Sequence, residues 1–270
     1  MNSIRYTTEL VTVMDVTCDL PRSGLTPAYA VRRTWIGLPT AGVFALHAHG
    51  DEHLVHAGVG VIFPEGIEYR MTHPVDGGDS AIALSFRADV IEEALPGPLD
   101  HMRVSRIELG LRHDLGGLVA ACRQNASAFV DELALGILRS LSSSVLHAAP
   151  SPTRHARRKI DRIRIALAEH PEMPWALESL ARLVGYSPYH LAHEFRLHTG
   201  TSVHRYLADL RIAAALQRIE EGDASLAAVA ADLGFTHHSH LTATLRRRLG
   251  VTPRMIRERL RGGARPVRVH

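Results

Sequence analysis

Leu180-Ala181-Arg182-Leu183-Val184-Gly185-Tyr186-Ser187-Pro188, followed by Leu191, Phe195 and Gly200, decides how the second half of this chain folds. The stretch returns as Val229-Ala230-Ala231-Asp232-Leu233-Gly234-Phe235, followed by Leu241, Leu245 and Gly250. The matched positions Gly185/Gly234, Leu191/Leu241, Phe195/Leu245 and Gly200/Gly250 lie 49, 50, 50 and 50 residues apart. Each copy opens with an alanine-rich amphipathic helix, Leu177–Val184 or Leu226–Leu233. A glycine then permits a sharp turn. A polar residue, Ser187 or Thr236, is placed to cap the next helix, predicted from about Pro188 to His198 and from about His238 to Leu249. Pro188 suits a first helical position, where no N–H is needed. The second helix keeps Leu191/Phe195 or Leu241/Leu245 inward and leaves its other face outside. Each copy is therefore a helix-turn-helix, with small residues such as Ala181, Ala227, Ala228 and Ala230 at the close helix contact.

A further helix, Val203–Glu220, joins the two units. Its about 18 residues span about 27 Å, close to the ~34 Å between successive major grooves on one face of DNA. Charge is distributed to match. Residues 1–150 carry 11 Arg and no Lys against 17 Asp and Glu, a net of −6; residues 151–270 carry 20 Lys and Arg against 11 Asp and Glu, a net of +9. A basic half joined to an acidic half is the pattern of a polyanion-binding module attached to something that is not one. With 46% hydrophobic residues among 270, the chain can bury two cores. It has no apolar run near the ~18 residues of a membrane span and no leader pattern, so a cytoplasmic protein with no membrane partner is expected. Cys18 and Cys122, far apart in sequence, are expected to be free thiols in a reducing compartment.

The boundary between the halves is expected at Ser142–Arg158, where serines and prolines discourage a continuous helix. Before it, Val11–Val13, Val43–Leu46, Val59–Phe63 and Ala81–Phe86 are short strand-like runs separated by Gly, Pro and Asp, the texture of a β-sandwich or small barrel. Residues 88–96 and 114–147 read as helices. In the second, Leu115, Leu118, Val119, Cys122, Phe129, Leu133, Ile137, Leu138 and Leu141 form an apolar stripe. That stripe serves either packing on its own sandwich or a homodimer interface.

From the quoted repeat, with Leu249-Gly250-Val251-Thr252-Pro253 and Arg257, residues Leu177–Leu260 resemble the AraC/XylS-type DNA-binding domain. The resemblance implies a sequence-specific transcription regulator acting on double-stranded DNA, as activator or repressor, with RNA polymerase as a partner if it activates. The outward faces then nominate Tyr189, His190, His193 and Arg196, and His237, His238, Ser239, Thr242, Arg246 and Arg247, as DNA contacts. Of these, His193 and Thr242 are candidates for base edges; Arg196, Arg246 and Arg247 are candidates for phosphates. The chain departs from the family at Leu241 and Leu245, where phenylalanine is usual, and at His193 and Ala243, where arginine is frequent. The last two leave fewer forks for guanine and more weight on DNA shape.

The family also implies a regulatory, often cupin-like, N-terminal domain. Gly42-Val43-Phe44-Ala45-Leu46-His47-Ala48-His49, with Glu52 and His53, resembles the first cupin motif, and Gly60-Val61-Ile62-Phe63-Pro64-Glu65-Gly66 the start of the second. Tyr69 stands where a metal-binding member has histidine. One reading gives His47, His49 and Glu52 or His53 a divalent zinc or iron ion, with His47 and His49 on one strand face. The other gives no required cofactor and a pocket for a small effector, lined by Trp35, Phe44, His47, His49, Phe63, Tyr69 and Phe86.

The resulting architecture is α+β. A cupin-like sensor and dimerisation domain (1–147) is followed by a linker (148–158), an AraC-type DNA-binding domain (159–262) and a basic tail (263–270). An adaptor that senses nothing, or a metal-dependent cupin enzyme fused to DNA-binding helices, remain as alternatives. Replacing Thr242 by Ala is expected to alter the base preference recovered from a pool of random duplexes. Replacing Arg246 by Ala should weaken all duplexes alike and flatten the dependence of affinity on salt.

Overall fold

The computed structural model describes residues 2–95, 97, 99–143, 154–222 and 225–261. The first half carries strands β1 (Asn2–Thr7), β2 (Val11–Cys18), β3 (Tyr29–Ala30), β4 (Trp35–Ala41), β5 (Val43–Ala48), β6 (Asp51–His56), β7 (Val59–Phe63), β8 (Glu68–Thr72) and β9 (Asp79–Phe86). Helix α1 (Ala88–Ala94) precedes β10 (Arg103–Arg106). The strands pair antiparallel into a six-stranded sheet, β1-β2-β9-β4-β7-β10, and a four-stranded sheet, β3-β8-β5-β6. The strand runs read from the sequence all fall on strands of this sandwich, and the α+β architecture holds.

The larger sheet is covered on both faces, which explains why every residue of β7 is buried. Side chains alternate along a strand. Val59, Val61 and Phe63 point into the core shared with Phe44, Leu46 and Val55 of the smaller sheet. Ile62 points the other way, into a core shared with the helices. Gly60 also lies on that helix side, where a Cβ would meet Leu141 Cδ2 at 3.0 Å. The covering helices are α2 (Leu109–Arg123) and α3 (Ser127–Ser143), a pair broken near Asn125, whose φ is 54°. Leu118, Leu138 and Leu141 of the expected stripe are fully buried against the sheet. The stripe is thus spent inside the chain, and a dimer contact needs another surface.

Residues 144–153 lie outside the described residues. They include most of the expected linker; its last part, 154–158, already belongs to α4 (Arg154–Glu169). The tail 263–270 also lies outside. Six more helices follow: α5 (Leu177–Val184), α6 (Pro188–Thr199), α7 (Val203–Glu221), α8 (Leu226–Asp232), α9 (His238–Leu249) and α10 (Pro253–Arg261). They build two small cores on one shared helix. Val203, Tyr206, Leu207 and Leu210 of α7 pack with α4, α5 and α6. Ile212, Ala215, Leu216 and Ile219 pack with α8, α9 and α10. Among the described residues no helix is long and apolar enough to cross a membrane.

Truncating Leu118, wholly buried between α2 and the sheet, to Ala should cost about 2–5 kcal/mol of stability in urea unfolding. The same change at its half-exposed neighbour Val119 should cost clearly less.

Candidate nucleic-acid interface

Helices α6 and α9 are set by their ends. Gly185 takes φ 66° after α5, a left-handed turn that favours glycine. Ser187 then caps α6, its hydroxyl accepting from the His190 N–H at 3.2 Å, with Pro188 at the first helical position. In the second unit the expected cap at Thr236 is corrected. His237 is the cap residue, and its Nδ1 accepts from the His240 N–H at 3.1 Å. The cause is the extra residue between Gly234 and α9, which moves the cap one position on. Thr236 bonds the His240 ring instead, Oγ1 to Nδ1 at 2.9 Å.

Leu191 and Phe195, and Leu241 and Leu245, are wholly buried. Their helices therefore turn the nominated side chains outward. Tyr189 (85% exposed), His190, His193 and Arg196 are exposed on α6; His238, Ser239, Arg246 and Arg247 on α9, with His237 at its start. Thr242 is only half-exposed, and Ala243 beside it presents just a methyl group. The Ser239 hydroxyl also lies 3.0 Å from the His237 ring, so these two are partly committed to the start of the helix. Arg248, the third arginine of the run, turns inward to pair with Asp209 of α7.

The sandwich sits against this helical half. Asp209 also pairs with Arg106 of β10, at 3.2 Å. Tyr206 of α7 reaches its hydroxyl to His56 Nε2 at the end of β6, while His56 Nδ1 accepts from the Gly58 N–H at 3.0 Å. Arg164 of α4 donates to Tyr206 Oη at 3.3 Å, to the Leu54 carbonyl at 3.3 Å and to Asp161 at 2.7 Å. His56 is 2% exposed. Burial, with the Arg164 cation nearby, holds its imidazole well below the ordinary range, so it is neutral at pH 7. Arg112 of α2, pushed down to about 10 by burial, is satisfied by the carbonyls of Pro39 at 2.6 Å and Thr40 at 3.1 Å.

A family described as a helix-turn-helix domain matches residues 180–259, which span both units. Residues 180–259 are thus similar to a helix-turn-helix domain family. The transcriptional activator RhaR of Klebsiella pneumoniae is 29% identical over 105 residues, 39% of this chain and 37% of RhaR. The multiple antibiotic resistance protein MarA of Escherichia coli is 28% identical over 107 residues, 38% of this chain and 84% of MarA. The chain thus spans well under half of RhaR. Among solved structures, unsaturated fatty acid bound ToxT from Vibrio cholerae aligns over 97% of this chain and 100% of its own, at 15% identity and a TM-score of 0.40.

Beside this domain, the residues nominated for a ligand or metal divide: His47, His49, Glu52 and Tyr69 line one pocket of about 560 Å³, whereas Trp35, Phe44, Phe63 and Phe86 pack in the cores. Trp35 stacks on Phe63 at 4.0 Å, and Phe63 meets Tyr69 at 5.0 Å, so with Phe44 they fill the space between the sheets. Burial raises the Tyr69 hydroxyl to about 12. Phe86 lies on the other face of the large sheet, in the core with the helices. The expected set of His47, His49 and Glu52 or His53 is corrected in the same way. β5 ends at Ala48, and His49 sits in the turn with φ 52°, so strand alternation no longer aligns it with His47. His47 faces Glu52 across the pair and lies 3.0 Å from Thr72 Oγ1; His53 pairs with Leu46, on the opposite face. Among the described residues, the ligand atoms that do converge belong to Cys18, His73 and Asp79. These, the His56–Tyr206 contact and the role of Asp209 were not read from the sequence; no local pattern links residues as distant as His56 and Tyr206.

A pH effect follows from His56. Its folded imidazole titrates below the ordinary value of about 6.5. Below that value the unfolded chain binds the extra proton, so stability falls as pH drops from 7 through 6.5. Thermal unfolding of the wild type and of His56→Asn between pH 7.5 and 5.5 should show the variant with the shallower loss.

Proposed function

We propose that this chain is a DNA-binding transcription regulator in which α6 and α9 enter adjacent major grooves, and in which a small effector seated between the two halves alters how these helices are presented. The observation that carries the first part is the pair of helices with buried Leu191/Phe195 and Leu241/Leu245 on one side and exposed polar side chains on the other, repeated on the single helix α7. At 19 residues α7 is about 28 Å long, within reach of the groove repeat. Arg196, Arg246 and Arg247 supply phosphate contacts; His193 and Thr242 supply base contacts.

The effector part rests on a cleft of about 840 Å³ between the halves, within the usual range for small-molecule sites. His53, His56 and Arg106 line it from the sandwich, and Arg164, Tyr206 and Asp209 from the helices. Five of these six make or flank the contacts that hold the halves together, so an occupant competes for the same groups. The space between the sheets, by contrast, is filled with aromatic rings.

Selection from random duplexes is expected to return a bipartite motif with its half-sites about one turn, ~10 bp, apart; a single half-site, or no enrichment, overturns the proposal. Asp209→Ala frees Arg106 and Arg248 without touching the outward faces. It is expected to shift affinity for the selected duplex several-fold, and an unchanged affinity in the folded variant removes the coupling between halves.

A further inference from the structure

We propose that Cys18, His73 and Asp79 form a zinc-class metal site that closes one end of the sandwich. Cys18 Sγ lies 3.6 Å from His73 Nε2, and Asp79 Oδ2 lies 2.9 Å from the same nitrogen. All three ligand atoms are within 4.8 Å of one another. At ordinary zinc bond lengths a tetrahedral site sets sulfur and nitrogen about 3.5 Å apart, and nitrogen and oxygen about 3.3 Å apart. The cluster thus needs only a few tenths of an ångström of opening between His73 and Asp79.

The backbone holds these groups in place. Cys18 and Asp79 are direct partners at the ends of β2 and β9, and directly opposed residues share a face. His73, just past β8, is fixed by an isolated bridge to Ser23. The site therefore ties the large sheet to the end of the small one. Gly78, at φ 69°, passes so near Cys18 that a Cβ would sit 2.1 Å from its carbonyl oxygen. His73 and Asp79 are 1% and 7% exposed, while Cys18 is half-buried and offers the way in.

Two ordinary alternatives fit less well. A thiol–imidazole–carboxylate relay puts thiol and carboxylate on opposite ring nitrogens. Here both face Nε2, and Nδ1 is occupied by the Ser23 hydroxyl at 3.2 Å. That outer partner is the one a metal-bound histidine uses to fix its tautomer. A purely structural network leaves the Asp79 carboxylate nearly out of water, 7% exposed. A divalent cation removes this penalty. The mixed sulfur, nitrogen and oxygen set favours zinc over magnesium or calcium. Binding exchanges two protons for the cation: the thiol proton of Cys18, and the one held between His73 and Asp79. Three protein ligands leave a fourth position for water.

The test uses the full chain, freed of metal with chelator and reduced. Zinc is expected to bind one equivalent at this site and raise the melting temperature, while magnesium does neither. Cobalt(II) in place of zinc is expected to give a thiolate-to-metal charge-transfer band. The band should vanish in Cys18→Ser and persist in Cys122→Ala, which separates this site from the chain's many histidines. Ser23→Ala, which removes only the outer partner, should weaken zinc about 10–100-fold. Absence of the band in the wild type overturns the proposal, and so does zinc affinity unchanged in a folded Cys18→Ser. Neither result bears on DNA binding.

Discussion

Helix α7 is asked to be interior on nearly every side. Its first turns complete the core of α4, α5 and α6, its last turns complete the core of α8, α9 and α10, and its flank receives the sandwich. A helix apolar around most of its circumference is stable only when covered. Neither helix-turn-helix unit can therefore close its core without it. α2 of the sandwich lies on the same helix, where Glu220 packs so close to Gly116 that a Cβ there would meet its carboxylate. Helices α6 and α9, sandwich and cleft are all positioned by the same nineteen-residue rod.

The charged residues divide by the same geometry. Arg106, Arg112, Arg164 and Arg248 are spent inward, on carbonyls or on Asp161 and Asp209. Arg196, Arg246 and Arg247 remain on the outer faces. In the run Arg246-Arg247-Arg248, the rotation of about 100° per residue separates two side chains that face solvent from one that pins α9 to α7. A buried cation must be paired because its desolvation is expensive; an exposed one is open to a polyanion. The chain's net +9 in its second half thus overstates what reaches the surface.

The helical half was legible because its signals are local. Glycine, cap and apolar spacing all fall within one unit, and the repeat shows them twice. One error there, a cap at Thr236 instead of His237, follows from one inserted residue that the spacing already displayed. The sandwich was legible as strands but not as a site. His47 and His49 look like neighbours on a strand face because Gly50-Asp51 signals a turn without showing that it already includes His49. Trp35, Phe44 and Phe63 were equally suited to a pocket or a core, and aromatic content alone does not separate these. Cys18 and His73 lie 55 residues apart, and their meeting depends on how β2, β8 and β9 pair, which is a long-range property.

The continuity of α7 also limits how such a chain can change over time. Adding or removing one residue within it turns everything beyond by about 100° while moving it only about 1.5 Å. Helix α9 would then be turned to a different side relative to α6, and the pairing of Asp209 with Arg248 would fall out of phase with that to Arg106. On the proposed reading, α7 is free to change in composition but not in length, and the spacing of the two half-sites is held along with it.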